Sequence, residues 1–213
     1  SIPHRMLIGK QLTKGLGAGS EPTVGEGAAE EARADILEAC RDADIVFLTG
    51  GLGGGTGTGS LPVIAKLAKE RGALTIAIVT LPFSNEGARR SKNARIGLEK
   101  LRKSADTVIV IPNDRLLQDN ISQFPLNLAF RQADEILGNA IKCMTEITSH
   151  GGLVNIDFAD MRSIMDGGGV AMIGMGEGQG ATRASDAVTA ALTSPLLELD
   201  LSLIHISEPT RLG

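Results

Sequence analysis

The run DIVFLTGGLGGGTGTGS, Asp44 to Ser60, decides the architecture. Its first part, DIVFLTG, is an apolar, β-branched stretch of strand length ending at Gly50. Seven of the eleven residues from Gly50 to Ser60 are glycine. The next segment, SLPVIAKLAKERG, sets Leu61, Ile64, Ala65 and Ala68 at helical spacing and stops at Gly72. Bare backbone between a buried strand and an amphipathic helix is not a linker. In an open parallel sheet, ligands sit beyond the carboxyl ends of the strands, and glycine lets a backbone approach them closely. The unpaired N–H groups of a helix start then receive an anion, phosphate above all. Two standard versions of such a loop fail letter by letter. Within this run no lysine follows a glycine as a P-loop requires, and G-x-G-x-x-G occurs in no register from Gly50 to Gly59. The stretch therefore reads as a cradle made of N–H groups from Gly53, Gly54, Gly55, Gly57 and Gly59 with the hydroxyls of Thr56 and Thr58.

Outward from this run the pattern repeats. ALTIAIVTLP (Ala73–Pro82) and TVIVIP (Thr107–Pro112) read as further strands, separated by a polar helical pattern from Asn85 to about Arg102. Strands alternating with helices predict an α/β fold with a parallel, Rossmann-like sheet. Upstream, Ala29 to Cys40 reads as one helix with Glu30 and Glu31 near its start. Downstream, Phe124 to Ser149 reads as one long central helix, with Ala129, Ala133, Leu137, Ala140, Met144 and Ile147 as its buried stripe. A short helix after NIDFAD, a strand VAMIGMGEG and a helix ATRASDAVTAALTSPL complete the chain.

Composition narrows the function. The chain has 213 residues, 42% of them hydrophobic, a formal charge of -4, five Phe and no Trp or Tyr. A nucleic-acid surface wants a basic face and stacking rings, so that class is excluded. No apolar run has the length of a membrane span, and no leader is evident, so the chain reads as cytoplasmic without direct membrane insertion. Cys40 and Cys143 both fall in helical patterns and read as buried, reduced thiols.

Seven stretches together resemble the FtsZ branch of the tubulin/FtsZ superfamily: TKGLGAG from Thr13, GGGTGTG from Gly53, TLPFSNEGARR from Thr80, IPNDRLL from Ile111, AFRQADEIL from Ala129, NIDFADMRSIM from Asn155 and TSPLLELDL from Thr193. The resemblance covers about Ile8 to Leu201. It implies a GTPase that uses GTP and Mg²⁺ and polymerises head to tail into the cell-division filament at mid-cell. Membrane-anchoring division proteins would be its partners through a C-terminal tail. Alternatives are a tubulin-like cell-shape protein with the same chemistry, a non-hydrolysing scaffold and, remotely, a dinucleotide oxidoreductase.

The resemblance gives roles to single residues. Phe130 and Asp134 are i and i+4 on the long helix and share a face. Their matching positions stack on guanine and accept its N1–H and amine. Glu86, Arg90 and Asn113 match positions that contact ribose and a phosphate. Gly17, Ala18 and Gly19 match a loop near the terminal phosphate. Asn155, Asp157 and Asp160 match the catalytic loop. About 15 residues of helix separate Asp134 from Ser149, roughly 22 Å at 1.5 Å per residue. The acids thus serve the nucleotide of a neighbouring copy, and the heterologous contact propagates as a filament. No protein metal ligand set is implied.

The expected organisation is a partial GTP-binding domain over 1–150, a catalytic loop and short helix over 151–169, and the start of an α+β domain over 170–201. Residues 202–213, SLIHISEPTRLG, do not resemble the family and read as translated sequencing adapter. A first strand and phosphate loop of the family have no counterpart here. The chain as written is expected to bind GTP weakly and polymerise poorly.

Overall fold

The computed structural model describes residues 4–117, 126–149 and 158–197. Strands β1 (Ile45–Gly51), β2 (Leu74–Leu81), β3 (Thr107–Pro112) and β4 (Gly169–Ala171) form one sheet in the order β1-β2-β3-β4. All three pairings are parallel, in the registers Ile45↔Leu74, Ile76↔Thr107 and Thr107↔Gly169 at their first residues. Each parallel link needs a crossover, and helices supply it: α3 (Thr56–Glu70) joins β1 to β2, and α4 (Ala88–Ser104) joins β2 to β3.

Crossovers on both faces explain why β2 and β3 are apolar throughout. Leu48, Ala77, Val79, Val108 and Val110 pack against Leu61 and Ala65 of α3 and Leu98 and Leu101 of α4. On the opposite face Leu74, Ile76, Ile78, Ile109 and Ile111 meet Ala140 and Met144 of α5 (Leu126–Ser149) and Met161 of α6 (Phe158–Met165). The stripe expected on the long helix is present where it is described: Ala133, Ala140 and Met144 are buried and Leu137 is half-buried. The side chains of Ala129 and Ile147 lie outside the described residues.

Four expectations change. The single helix from Ala29 is two, α1 (Pro22–Glu31) and α2 (Arg33–Ala39), broken at Ala32. Helix α1 starts seven residues early, through Gly25 and Gly27. Glu31 therefore sits at a helix end, where it accepts the N–H groups of Gln11 (2.9 Å) and Leu12 (3.0 Å), and these bonds hold its carboxyl below the ordinary value. The strand VAMIGMGEG pairs only over Gly169–Ala171. Beyond it, Gly174, Gly176 and Gly178 lie against the backbone of α7 (Arg183–Leu192), where a Cβ would stand 2.2, 2.2 and 2.0 Å from the carbonyls of Ala191, Ala187 and Arg183. The period of two is real, but a helix, not a sheet, receives it. Finally, Cys40 is buried, and burial pushes its thiol up, whereas Cys143 is exposed.

Asp106 fastens the amino end of the sheet. It is 5% exposed, accepts from Lys69 Nζ, and takes the N–H (2.9 Å) and hydroxyl (2.8 Å) of Thr75. Burial raises its carboxyl pKa, but the Lys69 ammonium and both Thr75 donors together outweigh that and leave it lowered. A carboxyl lowered by folding contributes stability above its unfolded value, near 3.9, and loses it as pH falls through the folded value. Asp106→Ala is expected to cost about 2 kcal/mol at neutral pH by orphaning the Thr75 donors. In urea melts the gap to the parent should narrow below about pH 4. A gap constant from pH 7 to pH 3 would contradict this.

Candidate functional site

The carboxyl ends of β1, β2 and β3 open into one cleft of about 440 Å³. It lies where the glycine run leaves the sheet, at the ends of the strands where open parallel sheets receive ligands. Three walls meet there. One is β1 and its exit, from Thr49 to Leu52 with Gly54. The second is the exit of β2, with Thr80, Pro82, Glu86 and Arg90, joined by Asn113 from the exit of β3. The third is α5, through Phe130, Ala133, Asp134 and Leu137.

Each wall has its own chemistry. On α5, Phe130 is 39% exposed, and its ring meets buried Phe83 edge-on, with centroids 5.2 Å apart at 80°. An edge-to-face partner steadies a ring while leaving its faces available. Asp134, one turn on, is exposed beside it. At the β2 exit, Glu86 lies in a short 3-10 turn (Ser84–Glu86) and does two jobs. One oxygen accepts the Phe83 N–H at 2.8 Å, and the other pairs with Arg90. Gly87, at φ +100, ends this turn and releases the chain into α4. Asp114 ties the two strand exits together by accepting Ser84 N–H at 2.9 Å, and it takes the Ser84 hydroxyl as well. Next to it, Asn113 is 5% exposed, and its Oδ1 has no hydrogen-bond partner. A buried amide oxygen left unpaired is costly, and Asn113 is one of the residues lining the cleft.

The glycine run divides its labour. Gly54 has nothing within 4 Å of where a Cβ would lie, and it lines the cleft. Helix α3 begins at Thr56, earlier than its apolar stripe suggests, with no side-chain cap at Gly55. Among the described residues no protein group accepts the N–H groups of Gly54, Gly55, Thr56 or Gly57, nor those of Gly17, Ala18 and Gly19. The two loops touch, since a Cβ on Gly55 would stand 2.8 Å from Ala18 Cβ. Two other members of the run serve the fold. Thr58, expected to offer its hydroxyl to phosphate, is 1% exposed, and that oxygen accepts Gly53 N–H at 2.9 Å. Gly59 lies against α1, where a Cβ would be 2.0 Å from Pro22 O. Gly57 gives close approach to β1, with Gly51 O 2.6 Å from its would-be Cβ.

Asn93 carries no mark in the sequence patterns above, yet it belongs to this region. Its Nδ2 donates to Ser20 O (3.0 Å) and Gly53 O (3.3 Å), one residue from each glycine loop. A signal was available: Glu86, Arg90, Asn93 and Gly97 recur at helical spacing along one face. Asn155 and Asp157 lie outside the described residues. Asp160 is exposed in the first turn of α6 and is not brought to the cleft. Helix α6 is fixed to the opposite, amino end of the sheet, where Arg162 donates to Gly72 O (2.8 Å) and Thr107 Oγ1 donates to Met165 O (2.6 Å). The eight residues of β2 separate those anchors from the cleft, about 25 Å at 3.3 Å per residue.

The chain is similar to known proteins in sequence and fold. Residues 1–120 match the tubulin/FtsZ family, GTPase domain, and residues 169–207 match the FtsZ family, C-terminal domain. The second match continues to residue 207, past Leu201, where the motif resemblance ends. The cell division protein FtsZ of Methanothermobacter thermautotrophicus is 59% identical over 209 residues, spanning 96% of this chain and 55% of that protein. Cell division protein FtsZ 1 of Archaeoglobus fulgidus is 58% identical over 199 residues, 93% of this chain and 54% of that one. The solved, empty FtsZ dimer of M. jannaschii superposes with a TM-score of 0.87 at 54% identity, over 91% of this chain and 56% of that chain. CetZ1 from Haloferax volcanii, solved as a GDP-bound monomer, gives 0.66 at 28% identity, over 80% of this chain and 50% of its own. The chain thus spans about half the length of the relatives it matches. It belongs to the tubulin/FtsZ family, on the FtsZ side, with the tubulin-like GTPase-domain fold of that family of cell-division proteins.

Proposed function

We propose that this chain binds GTP in the cleft, hydrolyses it with acids from a second copy, and polymerises head to tail into a cell-division filament. The observation that carries the reading is the order of chemistries along the cleft, continued beyond Gly54 by the adjoining Gly17–Gly19 loop, whose Gly17 and Ala18 line a neighbouring hollow with Thr56. A steadied aromatic ring and a carboxylate come first, then an unpaired buried amide oxygen and a guanidinium, then two loops of unpartnered N–H groups. That order suits base, ribose and phosphates of one nucleotide. Asp134 accepts the N1–H and amine of guanine while Phe130 stacks on the ring, a donor pair that adenine lacks. Asn113 Oδ1 accepts a ribose hydroxyl. Arg90, held by Glu86, meets a phosphate, and the N–H groups of Gly54 to Thr56 and of Gly17 to Gly19 surround the rest.

Among the described residues no group of three His, Cys, Asp or Glu is placed to hold a metal. In this reading Mg²⁺ arrives on the phosphate oxygens of the nucleotide, where it offsets charge. Among the described residues no helix is long and apolar enough to cross a membrane. The relatives' names as cell division proteins are consistent with a place at the division site, and a cytoplasmic setting with membrane-anchoring partners is part of the same proposal.

The reading is tested by calorimetric titration of GTP and ATP into the parent and Asp134→Ala. The parent should prefer GTP. The substitution should weaken GTP about 100-fold, the worth of two hydrogen bonds to a charged group, and leave ATP unchanged. Equal affinity of the parent for GTP and ATP would overturn the assignment.

A further inference from the structure

We infer that Asn93 is a positioning residue that clamps both glycine loops in the shape that receives the phosphates. This rests on the nucleotide reading above. A carboxamide has two N–H donors on one nitrogen, and here both acceptors are backbone carbonyls, Ser20 O at 3.0 Å and Gly53 O at 3.3 Å. Carbonyls only accept, so the amino end of the side chain must face them. The two peptides it holds are 33 positions apart in sequence and belong to different loops.

Both held residues have positive φ, disfavoured for Ser20 and open to Gly53 only because it is glycine. Ser20 has φ +63, one of two non-glycine residues with positive φ among those described, and Gly53 has φ +111. Such shapes persist when neighbouring bonds hold them. Each loop has internal bonds of its own, among them Glu21 N–H to Ala18 O (2.9 Å) and Leu16 N–H to Thr13 O (2.9 Å) in the first and Gly53 N–H to Thr58 Oγ1 (2.9 Å) in the second. Only Asn93 links one loop to the other by a side-chain bond among the described residues. Its helix is itself seated closely on this region. A Cβ on Gly97 would stand 2.4 Å from Thr58 Cγ2, and one on Gly53 would stand 3.1 Å from Arg90 O. The amide is therefore carried by a rigid element and fixes loops that leave their N–H groups free for an anion, which is preorganisation of the phosphate subsite.

The test separates phosphate from base. Asn93→Leu keeps the volume and removes both donors. It should weaken GTP and GDP about tenfold and leave guanosine within about twofold, because Phe130 and Asp134 are untouched. Equal loss for guanosine and GTP, or no loss for GTP, overturns the clamp. A parent that does not prefer GTP to ATP overturns the nucleotide reading instead, and that is seen before any variant is made. Should Asn93→Leu fail to fold, amide exchange on the parent decides. One clamp over both loops requires the Glu21 and Gly53 amides to share an opening constant within about twofold, and constants tenfold apart overturn it.

Discussion

Gly59→Ala should lower the unfolding free energy by about 3 kcal/mol, at the upper end of what overpacking costs, and the melting temperature by roughly 10 °C. The reason is what the new methyl would meet. Pro22 O lies 2.0 Å from it, Glu26 N 2.6 Å and the carbonyl carbon of Gly25 2.9 Å. All three are backbone atoms of α1, so no rotamer change relieves the contact and the helices must separate. The contact is reciprocal, since a methyl on Gly25 would stand 2.3 Å from Gly55 O. Separation would also strip the cluster that Ala29, Val63, Leu67 and Ala68 form between these helices. Gly54→Ala is the control. Its methyl meets nothing within 4 Å and enters the cleft. It should melt with the parent while weakening GTP. Equal melting temperatures for Gly59→Ala and the parent would refute the packing argument.

The same glycines show how far the sequence could be read. Strand, glycine run and helix were legible at Asp44 to Gly72 because periodicity and punctuation agreed there. The sheet was legible from the two further β-branched runs. The cleft was legible as far as each residue's chemistry was set by its own element, as with Phe130 and Asp134 one turn apart on α5. What was hidden depended on a second element. Helix α1 was missed because Gly25 and Gly27 argue against helix locally, and only the approach of other segments, the start of α3 at Gly25 and Leu12 at Gly27, gives them a use. Thr58 and Thr56 look alike in sequence, yet Thr58 is turned inward by Gly53 N–H and by Gly97. The strand expected beyond Ala171 failed because alternate glycines suit a helix backbone as a neighbour as well as they suit a sheet. Asn93 shares a helical face with Glu86, Arg90 and Gly97, but its role was hidden because its partners are carbonyls, which leave no mark in a sequence.

Asp157→Ala and Asp160→Ala should each reduce GTP turnover in the full-length protein by about 10² to 10⁴, the range for a group acting directly on the attacking water. GTP binding should stay within about twofold. The argument is spatial. Asp160 stands in the first turn of α6, and α6 is held at the amino end of the sheet by Gly72 and Thr107. The cleft is at the carboxyl end, about 25 Å away along β2. No rotation of a carboxylate spans that distance, so an acid there can reach phosphates only in a copy stacked end to end. In the proposed filament such a contact would leave one cleft and one acid end open at each step, so it would propagate. Two consequences are measurable. Turnover per chain should rise from near zero past a threshold protein concentration. Mixing inactive Asp134→Ala with inactive Asp157→Ala should restore part of the turnover, because one copy contributes the cleft and the other the acids. Activity that is flat in concentration, together with a mixture no better than its parts, would place the whole reaction within one molecule and refute the shared site.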